Sequence, residues 1–233
     1  MITIYPSETR FKADQGWLKS NFSFSFGPYY DSDNTSFGPM RVLNDDYVAS
    51  TKGFGAHPHS DMEIVSIVLK GKLRHEDSLG NAGTTAWGEI QRMTAGTGIV
   101  HTEFSASEDE ELNLLQMWFT PEKRGLDPSY EITDFDVNAL DGQWLPVVSK
   151  QALEHIAKIH QDMTIYLRKL GNHQEAVFET PEDRRIFLFV IEGGLTFNKD
   201  YTLNVRDSAR IEGESKLEIT ADADSLIMLI DLP

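Results

Sequence analysis

Two strings, His57-Pro58-His59 and His101-Thr102-Glu103, constrain this chain more than any other feature. Each sets two potential metal ligands two residues apart, and that spacing puts both side chains on one face only in a β-strand. Ordinary strands keep carboxylates off a buried face because an unpaired buried charge is costly. A metal ion would remove that cost. Two such strands lying side by side would bring His57, His59, His101 and Glu103 to one point inside a β-barrel. Three imidazoles and a carboxylate suit Fe, Ni, Cu, Mn or Zn, and they leave coordination positions for water, dioxygen or substrate. The other histidines, His75, His155, His160 and His173, read as surface or core residues without a ligand partner at such spacing.

The rest of the chain reads as short strands between turn signals. Ile64–Leu69 is β-branched and ends near Gly71, Leu112–Phe119 is apolar and stops at Pro121, and Ile186–Ile191 and Leu226–Ile230 look alike. Only Lys150–His160 carries a helical pattern, through Ala152, Leu153, Ile156, Ala157 and Ile159. This grammar predicts an all-β fold of the jelly-roll kind with a minor helix. A repeat supports two tandem barrels: Glu63–Gly71 resembles Arg185–Gly193, each followed by a polar hairpin and a later apolar strand. The expected division is residues 1–131 for a metal-binding barrel and 132–233 for a second one. Counting back from Gly193 places Glu179 and Pro181 where the first barrel has His57 and His59, so the second barrel is expected to hold no metal.

Charge and cysteine content narrow the function classes. A formal net charge of −16 with scattered Lys and Arg opposes a nucleic-acid surface. The run Glu108–Glu111 reads as a solvated turn. The chain has no cysteine, which excludes disulfides, zinc–thiolate sites and thiol nucleophiles. No segment reaches the roughly 20 apolar residues of a membrane helix, and residues 1–10 show no secretory signal. A cytoplasmic protein is the expectation.

The segment Gly53–Glu63, with His57 and His59, resembles the first metal motif of cupins and more closely that of pirins. Met93–Glu103, with His101 and Glu103, resembles the second pirin motif. Gly16-Trp17-Leu18, Phe22–Phe26, Tyr29–Asp31, Arg41–Asp46 and Leu229–Pro233 are similar to pirins as well. The resemblance implies two tandem cupin barrels and one mononuclear iron, most simply Fe(II), held by His57, His59, His101 and Glu103. Some relatives lack these ligands, whereas this sequence keeps all four. Glu63 occupies the place of a ligand in many ordinary cupins, and in the pirin pattern it becomes a supporting residue.

Bacterial pirins of this kind are similar to quercetin 2,3-dioxygenase, which opens a flavonol ring with O2 and releases carbon monoxide. On that reading Glu103 is both ligand and proton acceptor for the flavonol 3-hydroxyl. Asp61, Glu63 or backbone carbonyls would hold the imidazole N–H groups. A planar polyphenol calls for an apolar, aromatic wall, for which Phe24, Phe26, Phe54, Met93 and Met117 are the candidates. The rival implication, from animal pirins, is a redox-responsive iron protein that regulates a protein partner without turnover. No partner patch is visible in the sequence.

Overall fold

Runs of β-branched and aromatic residues fit a pleated, half-buried surface, and the glycine and Asp/Asn clusters between them turn the chain back on itself. In the computed structural model, which describes residues 1–233, these runs form β1 (Ile2–Tyr5), β2 (Phe11–Asp14), β3 (Leu18–Phe22), β4 (Met40–Val48), β5 (Gly53–His59), β6 (Glu63–Lys70), β7 (Leu73–Asp77), β8 (Ala82–Thr85), β9 (Glu89–Thr94), β10 (Ile99–Ser105), β11 (Leu112–Phe119) and β12 (Ser129–Asp134). Then come β13 (Leu145–Ser149), β14 (Ala157–Lys158), β15 (Thr164–Leu170), β16 (Glu175–Glu179), β17 (Arg185–Glu192), β18 (Leu195–Phe197), β19 (Tyr201–Leu203), β20 (Ser208–Glu212), β21 (Lys216–Ala221) and β22 (Ser225–Leu232). The all-β cupin fold expected from the sequence is what the chain adopts.

The strands gather into two compact units that interleave along the sequence. One comprises Phe11–Phe135 and Lys150–Gln161; the other comprises Met1–Arg10, Asp136–Ser149 and Asp162–Pro233. A single cut after residue 131 takes no account of these exchanges. Strand β1 pairs with β20 over Ile2–Tyr5 and Ser208–Ile211, while Lys158 N and His160 N donate to the carboxylates of Glu131 and Glu63.

The first unit is built from a sheet in the order β12-β9-β6-β11-β4-β3-β2 and a smaller one in the order β5-β10-β7-β8. Their facing sides enclose an interior that is apolar only in places. Leu18, Val48, Val68, Leu73, Leu112 and Leu114 form one cluster, with Trp17 and Phe54 packed on it. Ile64, Met93, Ala95 and Ile99 form another, with Met62, Trp118 and Tyr130 against it. Buried polar residues fill other parts, among them Asn44, Asp46, Ser66, His75, Gln91, His101, Glu103 and Gln116. Polar groups are tolerated in such a place only when they are paired. The second unit differs. Its interior cluster, including Phe178, Leu188, Val190, Leu195, Phe197, Leu217, Ile227 and Leu229, is aliphatic and aromatic. Truncating one of these buried leucines to alanine would cost about 2–5 kcal/mol.

No helix forms at Lys150–His160. Leu153 and Ile156 close a narrow bridge with His155 at φ 61°, and the chain then extends as β14. Ala152 and Leu153 are exposed, whereas Ala157 and Ile159 alternate inward. The segment runs extended instead, burying only Ala157 and Ile159, with the Lys158 and His160 N–H groups donating to Glu131 and Glu63. The acidic run Glu108–Glu111 is exposed, as a solvated turn should be. No helix is long and apolar enough to cross a membrane.

Candidate metal centre

Strand β10 alternates as its spacing requires: Ile99, His101, Glu103 and Ser105 point inward, and Val100 and Phe104 outward. It pairs antiparallel with β5, His101 opposite His57 and Glu103 opposite Phe54. Two residues lie between Phe54 and His57 where one lies between His101 and Glu103, so β5 carries a bulge over Gly55 and Ala56. Bulges re-aim side chains next to functional sites. Here the Gly55 carbonyl accepts a hydrogen bond from His57 Nδ1 at 2.7 Å. That donor role leaves His57 Nε2 with a free lone pair. Gly53 is required just before the bulge, because a Cβ there would lie 2.1 Å from Glu103 O and 2.5 Å from Phe104 Cα.

The rings of His57, His59 and His101 make a near-equilateral triangle, with centroids 4.9, 4.4 and 4.9 Å apart. Their ligand atoms lie within 4.8 Å of one another. His59 Nε2 and His101 Nε2 are buried without a hydrogen-bond partner. Burial first, and then the neighbouring imidazoles, lower His59 to about 4 and His101 to about 3. Both rings are therefore neutral near pH 7, the state that binds metal. Orphaned nitrogens converging in this way fit a borderline divalent metal ion.

Glu103 joins His101 and His75 in a second group of convergent ligand atoms. Its carboxylate is held by two amides: Gln91 Nε2 donates at 2.9 Å to Oε1 and Gln116 Nε2 at 2.8 Å to Oε2. Each amide is locked from its other end, since Tyr130 O–H donates to Gln91 Oε1 and Trp118 Nε1 to Gln116 Oε1. Lone pairs on both carboxylate oxygens remain for a metal or a proton.

His75 is fully buried and lies beside the cluster rather than away from it. Its Nε2 is 3.1 Å from Asp77 Oδ2, its Nδ1 is 3.2 Å from His101 Nδ1, and its ring stacks on Tyr130 at 4.1 Å. Burial alone would raise Asp77, but hydrogen bonds from Asn81, His75 and the backbone N–H groups of Asn81 and Leu79 bring it below the ordinary carboxylate range. An ionised Asp77 takes the His75 Nε2 proton in a hydrogen bond, so His75 Nδ1 accepts from His101 Nδ1. The chain Asp77–His75–His101 thereby fixes the tautomer that leaves His101 Nε2 bare. His75-Glu76-Asp77 has the same two-residue spacing as the ligand strings. The signal was present in the sequence, and the reading of His75 as partnerless was mistaken.

Asp61 and Glu63 do not hold the imidazoles. Asp61 Oδ1 accepts from Gly125 N at 2.7 Å, fastening a loop. Glu63 accepts from Thr94 Oγ1 at 3.0 Å and His160 N at 3.1 Å, a supporting role.

Beside the cluster opens a cavity of about 250 Å³, lined by His57, Glu103 and Gln116 together with Phe22, Phe26, Phe54, Trp118, Asn44 and Asp46. Phe26 and Phe54 are thus on the wall. Phe24, Met93 and Met117 are not among its lining residues, and all three are buried in the core. Met117 falls between Gln116 and Trp118 on β11, so its side chain points to the opposite face from theirs. Met93 packs with Ile64, Ala95 and Ile99 instead.

A two-barrel chain with a histidine cluster inside its first barrel is a bicupin with a candidate metal centre. The family model described as Pirin matches residues 6–119, and that described as Quercetinase C-terminal cupin domain matches residues 146–232. The chain belongs to the pirin family. It is 41% identical to "Quercetin 2,3-dioxygenase" of Escherichia coli (strain K12), over 100% of this chain and 99% of that protein. It is 36% identical to "Pirin-like protein" of Caulobacter vibrioides, over 99% of both. The solved structure "bacterial pirin YhhW in complex with nickel(II)" from Escherichia coli superposes with a TM-score of 0.94 at 39% identity, covering 100% of this chain and 99% of that one.

Proposed function

We propose that this protein is a metal-dependent dioxygenase that opens the ring of quercetin-like flavonols with O2 and releases carbon monoxide. The observation that carries the reading is one aromatic cavity, lined by His57 and Glu103, beside the convergent His57, His59 and His101. The name of the Escherichia coli relative supports the substrate class. His57, His59 and His101, through their Nε2 atoms, and Glu103, through a carboxylate oxygen, would hold one mononuclear ion. Fe(II) is our assignment; the nickel complex of the Escherichia coli pirin makes Ni(II) the first competitor, with Mn, Cu and Zn also compatible with the donors. The chemistry is confined to the first barrel, and a cytoplasmic location belongs to the same reading.

A bound ion supplies Lewis acidity and a place for the flavonol 3-oxygen. The rest falls to the chain itself. Glu103 takes the 3-hydroxyl proton on a carboxylate oxygen, and the Gln91 and Gln116 amides keep that carboxylate from rotating away. A general base must sit within hydrogen-bond reach of its proton, and a carboxylate beside the metal position meets this condition. Phe26, Phe54 and Trp118 offer flat apolar surfaces that align the ring and exclude water. The cavity is near the small end of ligand pockets, so a three-ring flavonol is enclosed at its reacting end and reaches the mouth at the other.

The test is aerobic quercetin turnover by protein loaded with each metal in turn, with carbon monoxide detected, beside metal-stripped and His101→Ala protein. Metal-dependent loss of flavonol with carbon monoxide release is expected, and none from His101→Ala. Metal-loaded protein that leaves quercetin intact would refute the reading. Glu103→Ala protein that kept both its metal and full turnover would refute the base.

A further inference from the structure

Asn44 and Asp46 lie two apart on β4, so both side chains stand on the inward face of the larger sheet, and both line the cavity beside His57, Glu103 and Gln116. The register places them with respect to the metal centre. Asn44 sits between Gln116 of β11 and Phe22 of β3, and Asp46 between Leu114 and Ser20. Gln116 holds Glu103. Asn44 therefore stands one strand further from Glu103, a step of about 4.8 Å, and Ser20 one strand beyond the Asp46 position.

Asn44 is 4% exposed, and its Oδ1 has no hydrogen-bond partner. A buried acceptor left unsatisfied costs stability, so a cavity-lining one is an atom awaiting a donor. Gln116, opposite on β11, turns one Nε2 hydrogen to Glu103 and its Oε1 to Trp118, and no donor reaches Asn44 Oδ1. Asp46 is as deeply buried and takes a short hydrogen bond from Ser20 Oγ. Burial, more than the nearby Asp45 and Glu103, pushes its carboxyl up to about 7. Near neutrality it can thus either donate or accept. The remaining wall is flat and apolar, with Phe22, Phe26, Pro28, Phe54 and Trp118. An aromatic ring laid from the metal position across this floor would pass over the Asn44 amide oxygen and the Asp46 carboxyl.

We propose that Asn44, Asp46 and Ser20 form a second recognition point, which binds a phenolic hydroxyl of the ligand other than the one at the metal. The inference rests on the polyphenol reading above for the ligand's class and adds what selects within it. A phenol O–H gives Asn44 Oδ1 its missing donor, and Asp46 completes the contact from the neighbouring strand pair. A ring without that hydroxyl leaves Oδ1 unpaired, and sites built to bond a hydroxyl discriminate strongly against analogues lacking one.

The experiment is an anaerobic titration of metal-loaded protein with two flavonols, quercetin and 3-hydroxyflavone, which lacks every hydroxyl except the one at C3. Wild-type protein should bind quercetin at least tenfold more tightly. Asn44→Leu should bring the ratio close to one while the protein still takes up its metal, and Asn44→Ser should fall between. The ratio of ratios removes differences in ligand hydrophobicity. Equal binding of both flavonols by wild-type protein, or an unchanged ratio in Asn44→Leu, would overturn the proposal. Failure of the dioxygenase reading looks different: the ratio and its loss persist while no metal-loaded protein consumes either flavonol.

Discussion

Replacing Asp46 by asparagine removes a titrating group while keeping the shape of the side chain, and the effect can be worked from its surroundings. Burial, above all, pushes the folded carboxyl up to about 7, against the ordinary 3.8 of a free aspartate. The difference is about 3 in pKa, and at about 1.4 kcal/mol per unit it amounts to about 4 kcal/mol. The sign follows from proton binding. Between these two values the folded chain holds a proton that the unfolded chain has released, so wild-type stability falls as pH rises from about 4 to about 7 and then levels off. Asparagine carries no such dependence. Urea unfolding of both proteins in the presence of chelator, at intervals from pH 4 to pH 8, should show wild type losing about 4 kcal/mol relative to Asp46→Asn across that range. The acid end is where wild type gains, because a neutral carboxyl costs less to bury than an ionised one, an effect the Ser20 hydrogen bond only partly offsets. A difference between the two proteins that does not change with pH would refute the reasoning. It would mean that the Asp46 carboxyl is solvated.

Three further outcomes are expected. His75→Phe keeps the ring stack on Tyr130 but breaks the Asp77–His75–His101 chain, and the loss of such an outer partner weakens metal binding about 10–100-fold; chelator competition reads this directly, with His57, His59, His101 and Glu103 all still present. Asp77→Asn should give a smaller loss in the same assay, since the amide can still accept from His75 Nε2. Gly53→Ala forces a Cβ against the Glu103 carbonyl and should cost about 1–3 kcal/mol in thermal or urea unfolding, with metal occupancy falling because β5 must shift relative to β10.

Much of this architecture is legible in the residues because strands announce themselves by composition. Leu112–Phe119 reads as a strand and is one to the residue, and the two ligand strings need only the two-residue period to fall on one face. The groups around the ligands were harder to see for a specific reason. Gln91, Gln116, Asn44 and Asp46 are polar residues inside strands, and which of them point inward depends on a register that only pairing fixes. Gln116 within Leu112–Phe119 was the available clue, since an amide in a buried strand must have a partner. Phe24 and Met117 failed as wall residues because hydrophobicity alone does not distinguish a cavity lining from a filled core. The helical pattern at Lys150–His160 failed because the segment runs extended, its Lys158 and His160 N–H groups taken by Glu131 and Glu63.

The interleaving of the two units has a consequence for synthesis. Strand β1 precedes its partner β20 by about 200 residues. At translation rates of about 5–20 residues per second, Ile2–Tyr5 waits on the order of 10–40 s as an unpaired, β-prone edge, the kind of segment that recruits other chains. Neither unit can close in the order it is translated: one waits for Lys150–Gln161, and the other for the last third of the chain. A nascent chain of this protein is therefore a natural client for holding factors at the ribosome, and severing it into halves would leave each fragment without an edge it needs.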